Sequence, residues 1–161
     1  MPEPIRIIAW GNRGRSDDGV ALVLAERLAA RFAGDPGVEV QQYHQLGPEV
    51  ADDLGRCRLA VFLDAHVRED WDDVVVEPVR PSAGAAVFAH HFPPPLLLAL
   101  ARSINLRVPP AWLVSIRGRC FEFGDGLSER TAGGLARAEQ RVLELVADAR
   151  RNGRQEGSSH A

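Results

Sequence analysis

Apolar and polar positions along the chain follow two alternating patterns, one typical of strands and one of helices. Short apolar or β-branched runs predict strands. A run that ends at Val79 predicts an edge strand, because Pro78 has no N–H to donate to a neighbouring strand. The predicted strands are Ile5 to Trp10, Val38 to Tyr43, Arg58 to Asp64, Val74 to Val79, Ala83 to His90 and Ala111 to Gly118.

Between these runs, apolar residues recur at helical spacing. Val20, Leu24, Leu28 and Phe32 are four positions apart and predict a helix from Asp17 to Ala33. Further helices are predicted at residues 47–55 (a short helix or turn), 93–104 and 127–151, the last with Ser128 as its N-cap. Alternating strands and helices predict a three-layer α/β fold, a mostly parallel twisted sheet with helices on both faces.

Composition and charge limit the number of domains and the classes of partner. The 161 residues are 45% apolar and 25% charged, which predicts a single domain over residues 1–150 and a disordered polar tail over residues 151–161. A net charge of -3 and short apolar runs argue against nucleic-acid and membrane partners. The N-terminus lacks the pattern of a secretion signal, so we expect a cytoplasmic protein whose Cys57 and Cys120 are reduced thiols.

Polar residues stand where three of the predicted apolar strands end. The first strand leads to Asp17 and Asp18, the third ends in Asp64, and the run from Ala83 ends in His90. Parallel strands have their carboxyl ends at one edge of the sheet, and that edge is where ligands bind in such folds. Two carboxylates and an imidazole there suit a borderline divalent metal such as nickel, zinc, cobalt or manganese.

Simpler explanations exist for each of these residues. Asp17 and Asp18 favour a helix N-terminus, Asp64 suits a turn, and a histidine at a strand end is often structural. His66 and His91 are additional candidates for the site. The sequence has no dinucleotide-binding GxGxxG, phosphate-binding Walker loop or GxSxG serine motif, although Arg13 and Arg15 leave a small anion site open.

Four segments, taken in order, resemble the nickel–iron hydrogenase maturation proteases. "GNRGRSDDGVA" resembles the family's opening GN-x4-D-[DE]-G motif, and "VFLDA" resembles the strand that ends in its characteristic aspartate. "AHHFPPPLLLALA" resembles its histidine and the helix that follows. "VPPAWLVSIRGRCFEFGDGLS" resembles its late strand and the start of its last helix. The similarity extends from Ile5 to Ala149.

The resemblance implies an endopeptidase that removes a C-terminal extension from the hydrogenase large-subunit precursor after nickel insertion. It also implies that Asp18, Asp64 and His90 contact nickel that the precursor carries, so no permanent cofactor is expected. The catalytic nucleophile stays open, with Asp18 or Asp64 as a possible base. A non-catalytic, nickel-dependent assembly checkpoint or chaperone for the same subunit is the alternative.

The chain departs from the family pattern in several places. Ala21 replaces a frequent glycine, His91 replaces an acid or amide, and the prolines at 93–95 are unusual. The segment after Asp64 lacks the usual Pro-Gly turn and carries acidic residues that either favour a basic partner surface or lie in a solvated loop. These acids are Glu69, Asp70, Asp72 and Asp73.

Overall fold

A computed structural model describes residues 2–84, 92–105 and 107–158 of the chain. Five strands are present in this part: β1 (Ile5–Trp10), β2 (Val38–Tyr43), β3 (Leu59–His66), β4 (Val74–Pro78) and β5 (Ala111–Arg117). Five α-helices accompany them: α1 (Val20–Arg31), α2 (Val50–Leu54), α3 (Pro94–Asn105), α4 (Glu129–Ala132) and α5 (Leu135–Ser158).

The strands form one sheet in the order β2-β1-β3-β5-β4. The first four are parallel, and β4 runs antiparallel to β5 at the edge. Asp73 and Val79 both bond to β5, so the alternation of an antiparallel ladder turns Pro78 away from that strand. The edge strand predicted from Pro78 is therefore confirmed.

Helices cover both faces of the sheet, which confirms the predicted three-layer α/β architecture. One core contains Ile7 and Val61 and packs against α1 and α5. The other contains Ile8 and Phe62 and packs against α2 and α3. Neighbouring residues of β1 and β3 thus serve opposite cores, and this explains why these strands are apolar without alternation.

Two helix predictions need correction. The helix predicted from Asp17 begins as a 3-10 turn, Ser16–Gly19, and becomes α-helical at Val20. The predicted closing helix is two helices, α4 and α5, separated at Gly133 and Gly134. A Cβ on Gly134 would lie 3.1 Å from the Ile116 side chain, so this break lets the backbone pack closely on β5.

In the structure α5 continues to Ser158, so residues 151–158 of the tail that the sequence predicts to be disordered are helical. This segment is exposed, and its arginine, glutamine and glutamate residues are good helix formers. The strand predicted from Ala83 to His90 falls largely on residues 85–91, outside the described residues. Within the described ranges, no helix is long and apolar enough to cross a bilayer.

Because residues 151–158 are exposed, we expect deletion of residues 151–161 to change the free energy of unfolding by less than about 0.5 kcal/mol. Urea denaturation checks the stability, and circular dichroism should show the lost helix. Val146→Ala is the control in the same helix, since Val146 is buried and its truncation should cost about 1–3 kcal/mol. A large loss on deletion would show that the last turns support the core.

Candidate active site

Asp18 lies at the carboxyl edge of the sheet, in the turn that joins β1 to α1. Its Oδ2 accepts a hydrogen bond from the Asn12 N–H at 2.9 Å. Gly11 makes this geometry possible, because a Cβ at that position would lie 2.1 Å from the Asp18 carbonyl oxygen. Asp18 as a whole is half-buried.

Asp64 lies near the end of β3, on the sheet face that α2 and α3 cover. Its Oδ1 accepts a hydrogen bond from the Ala65 N–H at 2.8 Å. Burial raises the pKa of Asp64 to about 7, and the negative charge of Asp18 adds to this rise, while the Ala65 bond opposes it. The charges of the two carboxylates therefore influence each other, and Asp64 gains or loses its proton near neutral pH.

Asp17 has a different function from its neighbour. It is fully buried, and its Oδ2 accepts hydrogen bonds from the N–H groups of Arg119 and Cys120 and the hydroxyls of Ser128 and Thr131, at 2.7–2.9 Å. Its Oδ1 accepts the Ser128 N–H at 2.7 Å. Burial alone would raise the pKa of Asp17, but these hydrogen bonds outweigh it and lower the pKa to about 2.

These bonds join two loops, residues 11–19 after β1 and residues 118–128 after β5. The backbone adds to the connection: Ser16 N–H donates to the Gly124 carbonyl, and Gly124 N–H donates to the Gly14 carbonyl. Asp17 therefore serves the start of α4 instead of its own helix. The expectation that Asp17 and Asp18 both favour the N-terminus of the first helix is wrong for Asp17.

His66 is the last residue of β3, and its ring contacts the loop that follows. Its Nε2 lies 3.0 Å from the Asp72 carbonyl, and its Nδ1 accepts the Arg68 N–H at 3.3 Å. Since both ring nitrogens are engaged and the ring is buried against Trp71, His66 organises this loop and offers no free nitrogen to a ligand. Its pKa is lowered, chiefly by burial.

Two of the four acidic residues in the segment after Asp64 form ion pairs within the protein. Asp70 binds Arg68 at 3.0 Å, and Asp73 binds Arg119 at 2.6 Å. These pairs leave less negative charge for a basic partner than the sequence alone suggests.

A groove of about 270 Å³ opens beside Asp64. Its walls include the aromatic rings of Trp10 and Phe92 and the first prolines of the α3 region, Pro93 and Pro94. Asp64 is the acidic residue among the described groups that line it. The sequence analysis did not predict this groove. The available signal was Trp10, an aromatic residue directly before the glycine-containing loop at the predicted site.

Two of the three residues that are predicted to contact a metal, Asp18 and Asp64, lie in the described part of the chain. Both lie at the carboxyl edge of the sheet, where the charge of Asp18 raises the pKa of Asp64, whereas His90 and His91 lie outside the described part of the chain. Within residues 2–84, 92–105 and 107–158, no three His, Cys, Asp or Glu side chains are grouped so that they could hold a metal ion. Two carboxylates cannot complete the coordination sphere of a metal ion, so they suit a cation that already carries other ligands.

The two arginines of the first loop have separate partners. Arg13 pairs with Glu26 at 2.7 Å, while Arg15 donates to the Phe121 carbonyl at 3.2 Å. Since they extend to different elements, they do not converge on one anion.

No family model and no curated protein sequence matches this chain. Solved structures do. The hydrogenase maturating endopeptidase HybD from E. coli has a TM-score of 0.74 at 19% identity, with 91% of this chain and 93% of that chain covered. The [NiFe] hydrogenase maturation protease HycI from Thermococcus kodakarensis KOD1 has a TM-score of 0.67 at 22% identity, covering 91% and 92%.

A third similar structure is the hydrogenase 2 maturation peptidase from Thaumarchaeota archaeon SCGC_AB-539-E09. It has a TM-score of 0.65 at 20% identity, with 89% of this chain and 98% of that chain covered. These comparisons establish that the chain has the fold of the hydrogenase maturation proteases over nearly its whole length. The fold that the sequence motifs imply is therefore confirmed.

The two adjacent acids should respond differently to the same substitution. Asp17→Asn replaces an acceptor by a donor among groups that all donate, so we expect a loss of about 2–4 kcal/mol in the free energy of unfolding. Asp18→Asn is the matched control and should cost less than about 1 kcal/mol, since the amide oxygen can still accept from Asn12. Urea denaturation at pH 7 measures the stability of both variants. Equal losses would contradict the conclusion that Asp17, and not Asp18, is needed to hold the loops in place.

Asp64 should lower stability as its charge forms. The pKa of Asp64 is about 7 in the folded protein and close to its ordinary value when unfolded, so the free energy of unfolding falls as pH rises from about 4 to 7. We expect Asp64→Asn to be more stable than the unsubstituted protein at pH 8 by roughly 1–4 kcal/mol. This difference should shrink towards zero below pH 4. Denaturation curves at pH 8 and below pH 4 measure this difference. A difference in stability that does not depend on pH would refute the raised pKa of Asp64.

Proposed function

We propose that this protein is an endopeptidase that removes the C-terminal extension of a nickel–iron hydrogenase large-subunit precursor after nickel insertion. Nickel arrives with the precursor and is sensed through Asp18, Asp64 and His90. The observation that carries the proposal is that Asp18 and Asp64, whose charges influence each other, both lie at the carboxyl edge of a sheet whose fold is that of hydrogenase maturation proteases.

The two carboxylates suit a metal that is already partly coordinated. They offer oxygen ligands but, with His66 engaged elsewhere, too few groups in the described residues to retain an ion alone. Phe92, which lies two residues after His90 in the sequence, lines the groove beside Asp64. This position supports the inclusion of His90 in the site. A site of this kind responds to nickel that the precursor presents.

The proton equilibrium of Asp64 supports peptide hydrolysis. With a pKa of about 7, its carboxylate can take a proton from a water that attacks the scissile carbonyl, and then return it to the departing amine. Nickel bound to the precursor supplies Lewis-acid polarisation of that carbonyl or water. The aromatic groove beside Asp64 provides walls for the peptide that approaches.

Alanine at Asp18, Asp64 or His90 should each reduce processing at least 100-fold while the fold survives, because each removes a contact to the nickel or the reacting atoms. Mass spectrometry of the nickel-loaded precursor, incubated with each variant, measures the loss of the C-terminal peptide. His44→Ala and Glu69→Ala are matched controls, since both residues are exposed and lie outside the site.

The same measurement separates the alternatives. Loss of mass that requires both the protein and nickel supports the endopeptidase. A stable complex with a precursor of unchanged mass would refute proteolysis and favour the assembly checkpoint. Full processing by all three variants would refute the assigned site.

A further inference from the structure

Phe123 is the most exposed large apolar side chain in the described ranges, with 89% of its surface accessible. Val67 and Ile104 follow at 66% and 61%. Val67 lies after β3 and Phe123 after β5, so both lie at the carboxyl edge, where Asp18 and Asp64 are found. Ile104 lies near the end of α3, about 15 Å along the helix from the prolines beside Asp64.

The loop that carries Phe123 is held in place. Gly124 exchanges backbone hydrogen bonds with Gly14 and Ser16, and the Ser16 hydroxyl donates to the Glu122 carbonyl at 2.9 Å. The carboxylate of Asp17 holds the same loop from below through buried hydrogen bonds. The backbone that carries Phe123 is therefore fixed, and a partner that binds the ring would order its side-chain torsions but not the loop.

A positive charge accompanies the ring. The Arg15 guanidinium lies 5.4 Å from the centroid of Phe123, while its Nε donates to the Phe121 carbonyl. No carboxylate forms an ion pair with Arg15 among the described residues, whereas Arg13 pairs with Glu26. Arg15 therefore offers an uncompensated charge beside an exposed aromatic ring.

We propose that Phe123 and Arg15 form an anchor that binds the folded precursor. Phe123 enters an apolar pocket on the precursor, and Arg15 pairs with a carboxylate at the rim of that pocket. Aromatic and arginine residues commonly carry much of the energy of such interfaces. A second copy of this chain fits less well, because a symmetric contact centred on Phe123 would bring two unpaired Arg15 side chains together. The identity of the partner rests on the proposed function.

Biolayer interferometry with the nickel-loaded large-subunit precursor tests the anchor. Phe123→Ser should raise Kd at least 10-fold, because it removes the ring and leaves the fold intact. Ile104→Ser is the matched control, exposed at the opposite edge, and should change Kd less than 2-fold. The melting temperatures of both variants should stay within about 2 °C of the unsubstituted protein, because neither side chain is buried.

The charge is tested separately. Arg15→Glu should slow association, most strongly at low salt, because steering by charge is screened by ions. Arg15→Lys keeps the charge and should retain most of the association rate. Equal association rates for Arg15→Glu and the unsubstituted protein would overturn the assignment of Arg15.

The failure of the anchor and the failure of the proposed activity are distinguishable. An unchanged Kd for Phe123→Ser, or no binding of the precursor at all, would overturn the anchor. A concentration-dependent dimer that Phe123→Ser abolishes would also overturn it, since the partner would then be a second copy. Weaker binding by Phe123→Ser to a precursor that never loses mass would support the anchor while refuting proteolysis.

Discussion

The candidate site depends on one buried carboxylate, that of Asp17. A buried anion is costly unless every oxygen is hydrogen-bonded, and here donors from the loop after β5 and from α4 meet that requirement. The same bonds fix the loop after β1, which has no regular structure before Ser16. The position of the adjacent Asp18 is thus set by residues that do not contact its side chain.

Asp17 and Asp64 have very different proton affinities, and the physical cause differs between them. Asp17 stays ionised because its hydrogen bonds favour the charged form, whereas Asp64 is driven towards its neutral form by burial and by the charge of Asp18. Carboxyl groups with such different proton affinities lie in one region of the molecule. This region therefore combines Asp17, an ionised carboxylate that holds the loops in place, with Asp64, whose carboxyl group titrates near neutral pH.

The sequence predicted the strands well because each is a short apolar or β-branched run bounded by loop residues, as β1 and β2 illustrate. That Asp18 and Asp64 lie at the same edge of the sheet also followed from their places at parallel strand ends, while their function as metal contacts stays a prediction. The function of Asp17 did not, since its partners are more than 100 positions away in the chain. The helical end of α5 was missed because polar composition alone does not distinguish an exposed helix from disorder.

Because the partners of Asp17 lie far along the chain, its hydrogen bonds can form only late in synthesis. The donors at Arg119 and Thr131 leave the ribosome long after β1 and α1. Until Thr131 has emerged, the first loop lacks part of the hydrogen bonding that stabilises the ionised Asp17, and the contacts that fix this loop around Asp18 are incomplete. A nascent chain of this protein thus completes most of its sheet before it can present a finished site to any partner.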